Sequence, residues 1–249
     1  VGQRLGIDRL AFYAKSAGLG KRTGIALGNE SRGLVPTAAW KRKHRGIPWQ
    51  AGETLSVAIG QGFNLVTPLQ MAMFTAAVAN DGQRYQPRLV NKIVTPEVEP
   101  PVEPPPKLVG RLPVSADTLA LVKRGMWEVV QGRKGTARIA RLEQIEISGK
   151  TGTAQVVSLD KIKKDEKGKS ARRFQDHAWF IAYAPSQSPR IAIAVIVEHG
   201  EHGSSTAAPI ARELVRTYLG PHDEAQITAD MENAAPVLET PVQGNDGHG

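Results

Sequence analysis

Two apolar runs, Ala178 to Ala184 and Ile191 to Val197, are separated by only six residues, two of them Pro185 and Pro189. A parallel pair needs a crossover of about a dozen residues or more, so runs this close must pair as an antiparallel hairpin. A third strand candidate, Ile145 to Val157, precedes them. Lys161 to Arg173, a cationic stretch, is expected to form a flexible loop between that strand and the hairpin. Helical signals lie mostly earlier. Thr67-Pro68-Leu69-Gln70 combines an N-cap, a first-turn proline and a capping-box glutamine, and opens a core helix that Asn80-Asp81-Gly82 ends. Leu119, Val122, Met126 and Val129 recur at helical spacing, predicting an amphipathic helix from about Ser115 to Gln131. A last helix runs from about Thr206 to Leu219, with Gly220-Pro221 past its end. Late strands, mostly early helices and one closing helix point to an α+β domain, or an α/β one, with a mainly antiparallel sheet packed by helices.

The remaining segments are punctuated. Asp8 is a candidate N-cap for the first complete helix, Ile7 and Phe12 a candidate hydrophobic staple, and Gly18 its stop. From there to about Gly52 the glycines and prolines predict loop. Seven of the 17 prolines fall between Pro96 and Pro113, which predicts an extended surface loop, neither helix nor central strand. Two regions follow from composition: a globular part over residues 1–220, and residues 221–249 as an acidic disordered tail. That tail carries six acids and no Lys or Arg, so the formal charge of +8 leaves residues 1–220 at +14. A body this basic suits nucleic acid, anionic lipid or an anionic polymer, and equally a solvated cationic surface. With no cysteine, disulfides, zinc-thiolate sites and cysteine catalysis are excluded. No apolar run approaches the roughly 20 residues of a membrane helix. Val1 to Leu5 read as the end of a helix begun elsewhere, so an N-terminal part, with any anchor or export signal, is expected upstream of Val1.

The chemistry concentrates in Ser148-Gly149-Lys150-Thr151-Gly152-Thr153-Ala154-Gln155. A phosphate loop would need glycine at position 144, where Gln144 stands, and a following helix where a strand is predicted. Gly60-Gln61-Gly62 fails the dinucleotide pattern because Leu65 replaces the third glycine. Lys-Thr-Gly is also the strand motif of serine acyltransferases and β-lactamases. A peptide added along such an edge would present its carboxylate to the Lys150 ammonium and to the hydroxyls of Thr151 and Thr153. Its scissile carbonyl would meet a backbone N–H, and Gly152 would let its backbone approach. The plain alternative is a polar strand end.

The order of motifs decides between them. Gly60-Gln61-Gly62, Thr67-Pro68-Leu69-Gln70-Met71-Ala72, Ala79-Asn80-Asp81-Gly82, Ser148 to Gln155 and Asp176-His177-Ala178-Trp179-Phe180 occur in sequence. Together they closely resemble class B penicillin-binding proteins of the elongation-specific penicillin-binding protein 2 type, over about Val1 to Leu219. The resemblance implies a β-lactamase/transpeptidase-like fold with its N-terminal part missing. It implies a peptidoglycan D,D-transpeptidase with Ser-x-x-Lys, Ser-x-Asn and Lys-Thr-Gly motifs, needing no cofactor or metal. Lys150, Thr151 and Thr153 would bind the substrate carboxylate, and the Thr153 N–H would form half of the oxyanion hole. Stem peptides, β-lactams in the intact protein and membrane-bound cell-elongation partners would be its ligands, with no nucleic acid. Its place would be the outer face of the cytoplasmic membrane.

The departure from the family is equally definite. No Ser-x-Asn occurs, and the single Ser-x-x-Lys, Ser158-Leu159-Asp160-Lys161, follows Lys-Thr-Gly where the family's serine precedes it. Ser158 is a decoy. No catalytic nucleophile is expected in this chain, and both serine motifs are expected upstream of Val1. Other candidates have plainer readings. His199-Gly200-Glu201-His202 lacks a third metal ligand and reads as a surface turn. Asp176 and His177 read as strand-end polar groups, with a place at the active-site rim as the functional alternative. Trp40 and Trp49, flanking Lys41 to Arg45, read as anchors of a loop before they read as a base-stacking platform. Nothing places Glu30 and Glu53 across a cleft as a glycosidase pair. The rival function is a non-catalytic module that holds peptidoglycan or a partner on the same edge strand.

Overall fold

The computed structural model of the chain describes residues 1–95, 98–155 and 175–220. Ser158 to Lys161, the whole cationic Lys161 to Arg173 stretch and the acidic tail lie outside the described residues. A three-stranded antiparallel sheet organises the domain, in the order β5 (Ser148–Ala154), β6 (His177–Ala184), β7 (Ile191–Val197). The two apolar runs form the expected hairpin. The third strand begins later than predicted, because Ile145 lies in a bend and Glu146 and Ile147 precede the first paired residue; Val156 and Val157 fall outside the described residues.

β6 is the central strand, fully buried on one face and half-buried on the other. Ala178, Phe180, Ala182 and Ala184 face a cluster made with Val130, Ala137, Ala140, Ala207, Ala208, Ala211 and Val215. Small residues in that list let helix α6 (Ala208–Leu219) lie close to the sheet. On the other face Tyr183 packs with Val78 and Ala79 of α4 (Pro68–Ala79) and with Leu119 and Met126 of α5 (Ala116–Gln131). Complete burial of Phe180 alone contributes about 2 kcal/mol. Both helix starts were legible: Thr67 and Gln70 form the capping box, and the Ser115 side chain accepts from the Thr118 N–H.

Between β7 and α6 the chain makes one π turn, Gly203–Ala207, which presses on the sheet. A Cβ placed on Gly203 would lie 2.1 Å from the Trp179 carbonyl oxygen and 2.7 Å from that of Gly152. Both obstacles are backbone, so neither can rotate away. Gly203→Ala is therefore expected to destabilise the domain by about 1–3 kcal/mol, the usual scale of overpacking. Equilibrium urea unfolding measures it; an unchanged midpoint would mean that the turn does not bear on the sheet.

Several sequence-based expectations need correction. Gly6 has φ 74° and ψ 164°, breaking α1 (Gly2–Ser16) into two helical pieces, so Ile7 is already helical and Asp8 sits inside the first turn. Asp8 caps nothing in its own helix; its carboxylate accepts from the Ala38 N–H at 3.4 Å. Phe12 is exposed, so the staple with Ile7 does not form. The predicted loop before Gly52 contains α2 (Ala38–Arg45), and α3 (Ala51–Ala58) follows at once. Thr37 caps α2, Gly46 ends it in the left-handed conformation, and its last turn carries Arg42, Lys43, His44 and Arg45 against the helix dipole. Lys41 is buried and reaches Glu53 at 2.5 Å, with the Trp49 ring 5.9 Å away. The bond from Lys41, then the Gln50 N–H, hold the Glu53 carboxyl below the usual carboxylate range.

The proline-rich segment is not wholly loop. Ile93–Thr95 (β2) pairs with Val98–Val102 (β3), and Gln83–Tyr85 (β1) pairs with Leu108–Arg111 (β4), as two separate two-stranded ribbons. Prolines are accepted there because a two-stranded ribbon has only edges, and an edge residue can spare its N–H.

Candidate active site

β5 stands at the end of the sheet order, so among the described residues one of its edges has no neighbouring strand. Register with β6 sorts its side chains. Thr151 pairs with Phe180 and Thr153 with Ala178, placing both threonines on the α6 face; Lys150 pairs with Ile181 and belongs to the α4 face. Lys150 is exposed and folds back over the open edge. Its Nζ donates to the Thr151 carbonyl at 2.7 Å and lies 3.5 Å from Thr151 Oγ1.

The backbone of that edge is also assigned. The Gln61 side chain donates from Nε2 to the Thr153 carbonyl at 2.8 Å and accepts from the Gln155 N–H at 3.2 Å. Antiparallel peptide groups alternate between the two sides of a strand, so residues 151, 153 and 155 turn theirs to the open side. The Thr153 N–H therefore points outward beside two hydroxyls and an ammonium. Such an edge can receive an anionic peptide end and stabilise charge developing on a carbonyl oxygen.

Lys150, Thr151, Gly152 and Thr153 are thus brought together as one edge, as the motif implied. Gly152 has a second constraint, because Trp179 Cβ lies 3.2 Å from where its own Cβ would be. Gly149 is tighter still, with Phe180 Cζ 2.5 Å from such a Cβ. Ser148 is buried and its Oγ donates to Ser186 Oγ at 2.9 Å, tying β5 to the hairpin turn. Two contributors escaped the sequence reading. Thr136 Oγ1 lies 3.5 Å from Thr151 Oγ1, and Gln61 reaches a strand 92 residues away. Gly60-Gln61-Gly62 carried a signal: both glycines have positive φ, 80° and 71°, which a turn aimed at another element would need.

The other candidates separate from this edge or stand beside it. His177 begins β6 opposite Ala154, and its Nδ1 accepts from the His199 N–H at 3.0 Å. His199 Nδ1 lies 3.2 Å from the Gln175 carbonyl, and the Gln175 amide donates to Glu201 at 2.7 Å. This network closes a turn, and among the described residues no group of three or more side chains is placed to hold a metal ion. Glu30 accepts from the N–H groups of Thr23 and Gly24. Partial burial pushes its carboxyl up, but the bonds from Thr23 and Gly24, with Arg22 nearby, outweigh this and lower it. Neither glutamate has the raised pKa of a glycosidic acid. Trp40 sits 5.3 Å from the Phe63 ring and stacks on His44, anchoring α2.

An antiparallel sheet with helices on both faces, and a Lys-Thr-Gly edge strand left open, defines the serine acyltransferase and β-lactamase class. The profile of the penicillin binding protein transpeptidase domain matches residues 1–216, and the chain belongs to that family. Its similarity is to the penicillin-binding protein 2 type. It is 40% identical over 224 residues to the peptidoglycan D,D-transpeptidase MrdA of Haemophilus influenzae, covering 88% of this chain and 34% of that protein. The MrdA of Acinetobacter baumannii is 38% identical over 216 residues, covering 87% of this chain and 32% of that protein. The crystal structure of Pseudomonas aeruginosa PBP2 in complex with WCK 5153 aligns with TM-score 0.71 and 37% identity, covering 89% of this chain and 44% of that one. A Helicobacter pylori PBP2, in complex with MreC, aligns with TM-score 0.69 and 31% identity, over 87% of this chain and 36% of that one. The chain spans about a third of the length of the curated relatives it matches.

Proposed function

We propose that this chain supplies the substrate-binding wall of a serine-type peptidoglycan D,D-transpeptidase that cross-links stem peptides in cell-wall synthesis and cell-shape maintenance. The observation that carries this reading is the open edge of β5, where the Lys150 ammonium, the Thr151 and Thr153 hydroxyls and the Thr153 N–H converge. In the reaction the terminal carboxylate of a stem peptide lies against Lys150 and Thr151. The penultimate D-Ala carbonyl is held by the Thr153 N–H as negative charge develops on its oxygen. A serine oxygen attacks that carbon, terminal D-Ala leaves with a proton, and an amine of a neighbouring stem displaces the serine. The serine and its lysine base are not among these 249 residues in the required order. They are supplied by a segment outside them, and residues 1–220 serve as the C-terminal part of the domain.

On this reading the intact protein works at the outer face of the cytoplasmic membrane with cell-elongation partners, and β-lactams acylate the same serine. No helix among the described residues is long and apolar enough to cross a membrane. The test is product analysis. The protein carrying both serine motifs, given a pentapeptide donor and an amine acceptor, is expected to release D-Ala and form the cross-linked dimer. A protein that binds peptidoglycan but releases no D-Ala and takes up no penicillin would be the non-catalytic module instead. Salt-sensitive DNA binding without acylation would return the +14 body to the nucleic-acid reading.

A further inference from the structure

A strand edge normally offers donors and acceptors in alternation, and for that reason it recruits other strands indiscriminately. The β5 edge does not. Lys150 Nζ occupies the Thr151 carbonyl and Gln61 Nε2 occupies the Thr153 carbonyl, so the chain itself satisfies the outward acceptors of both threonines. Gln61 also takes the Gln155 N–H. One side-chain amide bonded to the carbonyl of one residue and the N–H two residues later is the pattern of a parallel strand residue. Gln61 thus imitates one unit of a neighbouring strand and closes the edge beyond Thr153. The N–H of Thr153 is left facing the open side, next to the Lys150 charge.

We propose that Gln61 is a positioning residue for acylation, an inference that rests on the transpeptidase reading. It holds the Thr153–Gln155 segment at its carbonyl and at its following N–H, which fixes the direction in which the Thr153 N–H is presented. It also limits how far an added peptide can pair along β5. The ligand chemistry served is a peptide end with one carbonyl to be polarised and one carboxylate to be held. The loop is built for this: Gly60 and Gly62 have positive φ on either side of Gln61. Asn64 Nδ2 then donates to the Val57 carbonyl at 3.2 Å, binding the loop back to α3.

The experiment uses the protein that carries both serine motifs, with a fluorescent penicillin as probe, and Gln61→Ala and Gln61→Glu variants. Saturation kinetics separates the maximal acylation rate from inhibitor affinity. Gln61→Ala is expected to lower the maximal rate by about tenfold, less than the loss of an oxyanion donor, while affinity changes little. Gln61→Glu keeps an acceptor for the Gln155 N–H but cannot donate to the Thr153 carbonyl, and is expected to be at least as slow. Amide hydrogen exchange reads the strap without any chemistry: Gln155 exchanges faster in Gln61→Ala and stays protected in Gln61→Glu. Both variants folding normally and acylating at the parent's maximal rate would overturn the inference and leave the transpeptidase reading intact. If Gln61→Ala does not fold, Gln61→Glu alone decides, a parental maximal rate overturning the inference. A parent protein that takes up no penicillin would instead overturn the transpeptidase reading, with exchange at Gln155 still testing the strap.

Discussion

Lys150→Ala, in the protein that carries both serine motifs, is expected to slow acylation by penicillin about a hundredfold, the scale seen when one electrostatic contributor is removed. The ammonium lies on the open edge of β5, bonded at 2.7 Å to the Thr151 carbonyl, where an incoming carboxylate would meet it. Alanine leaves that carbonyl exposed in the anion's place, so a repulsive group replaces an attractive one. Lys150→Arg should recover only part of the rate, because a planar guanidinium cannot put its charge at the same point. Thr153→Val should be milder than Lys150→Ala, since the backbone N–H survives the change. Lys150 is exposed, so its loss should not cost the fold, and melting temperature serves as the control. Normal folding with parental acylation in Lys150→Ala would remove β5 from the catalytic wall.

The second large effect is a complete loss. The 249-residue chain alone is expected to form no covalent adduct with any β-lactam. Acylation needs a hydroxyl activated by a base, and the family's nucleophile lies on a Ser-x-x-Lys motif that precedes Lys-Thr-Gly. Here the single such motif, Ser158 to Lys161, follows it. Ser148 is nearest the wall in sequence, but it is buried and its Oγ donates to Ser186, so it presents nothing to a ligand. Intact-mass spectrometry after incubation with penicillin checks this. A stoichiometric adduct on any serine would show that nucleophilic chemistry resides in the chain itself.

The sheet was legible because its evidence is local. Two apolar runs six residues apart allow one pairing, and the Thr67–Gln70 and Ser115 caps act within four residues of themselves. What escaped depends on partners distant in sequence or on unusual composition. α2 is eight residues long and half of it is Lys, Arg or His in its last turn, so no apolar period marks it. Its burial of Lys41 follows only once Glu53 and Trp49 are brought to it. Asp8 looked like a cap because Ile7 precedes it, whereas the backbone break falls two residues earlier, at Gly6. The Lys150 to Thr153 edge was legible as chemistry. Its closure by Gln61 was not, since a glutamine between two glycines says that a turn exists and not what the turn touches.

The Thr153 N–H belongs to the main chain, and this bears on how such a protein can change under drug selection. A codon change can replace any side chain of the wall, but only proline would remove a peptide N–H, and on the transpeptidase reading that change would also cost a stem peptide its anchor. On that reading, a variant that keeps its activity but loses inhibitor affinity would move the strand instead of altering its donors. The positions able to move it are behind it: Gly203, held against the carbonyls of Trp179 and Gly152, and Phe180, pressed against Gly149. Ala207, Ala211 and Val215 extend that support beneath the sheet. Substitutions of one methyl group at these buried sites would tilt the edge by fractions of an ångström. A rigid bicyclic inhibitor would register such a tilt more than a flexible peptide, so lineages under antibiotic pressure are expected to accumulate their changes in this hidden layer while Lys150 to Thr153 stay as they are.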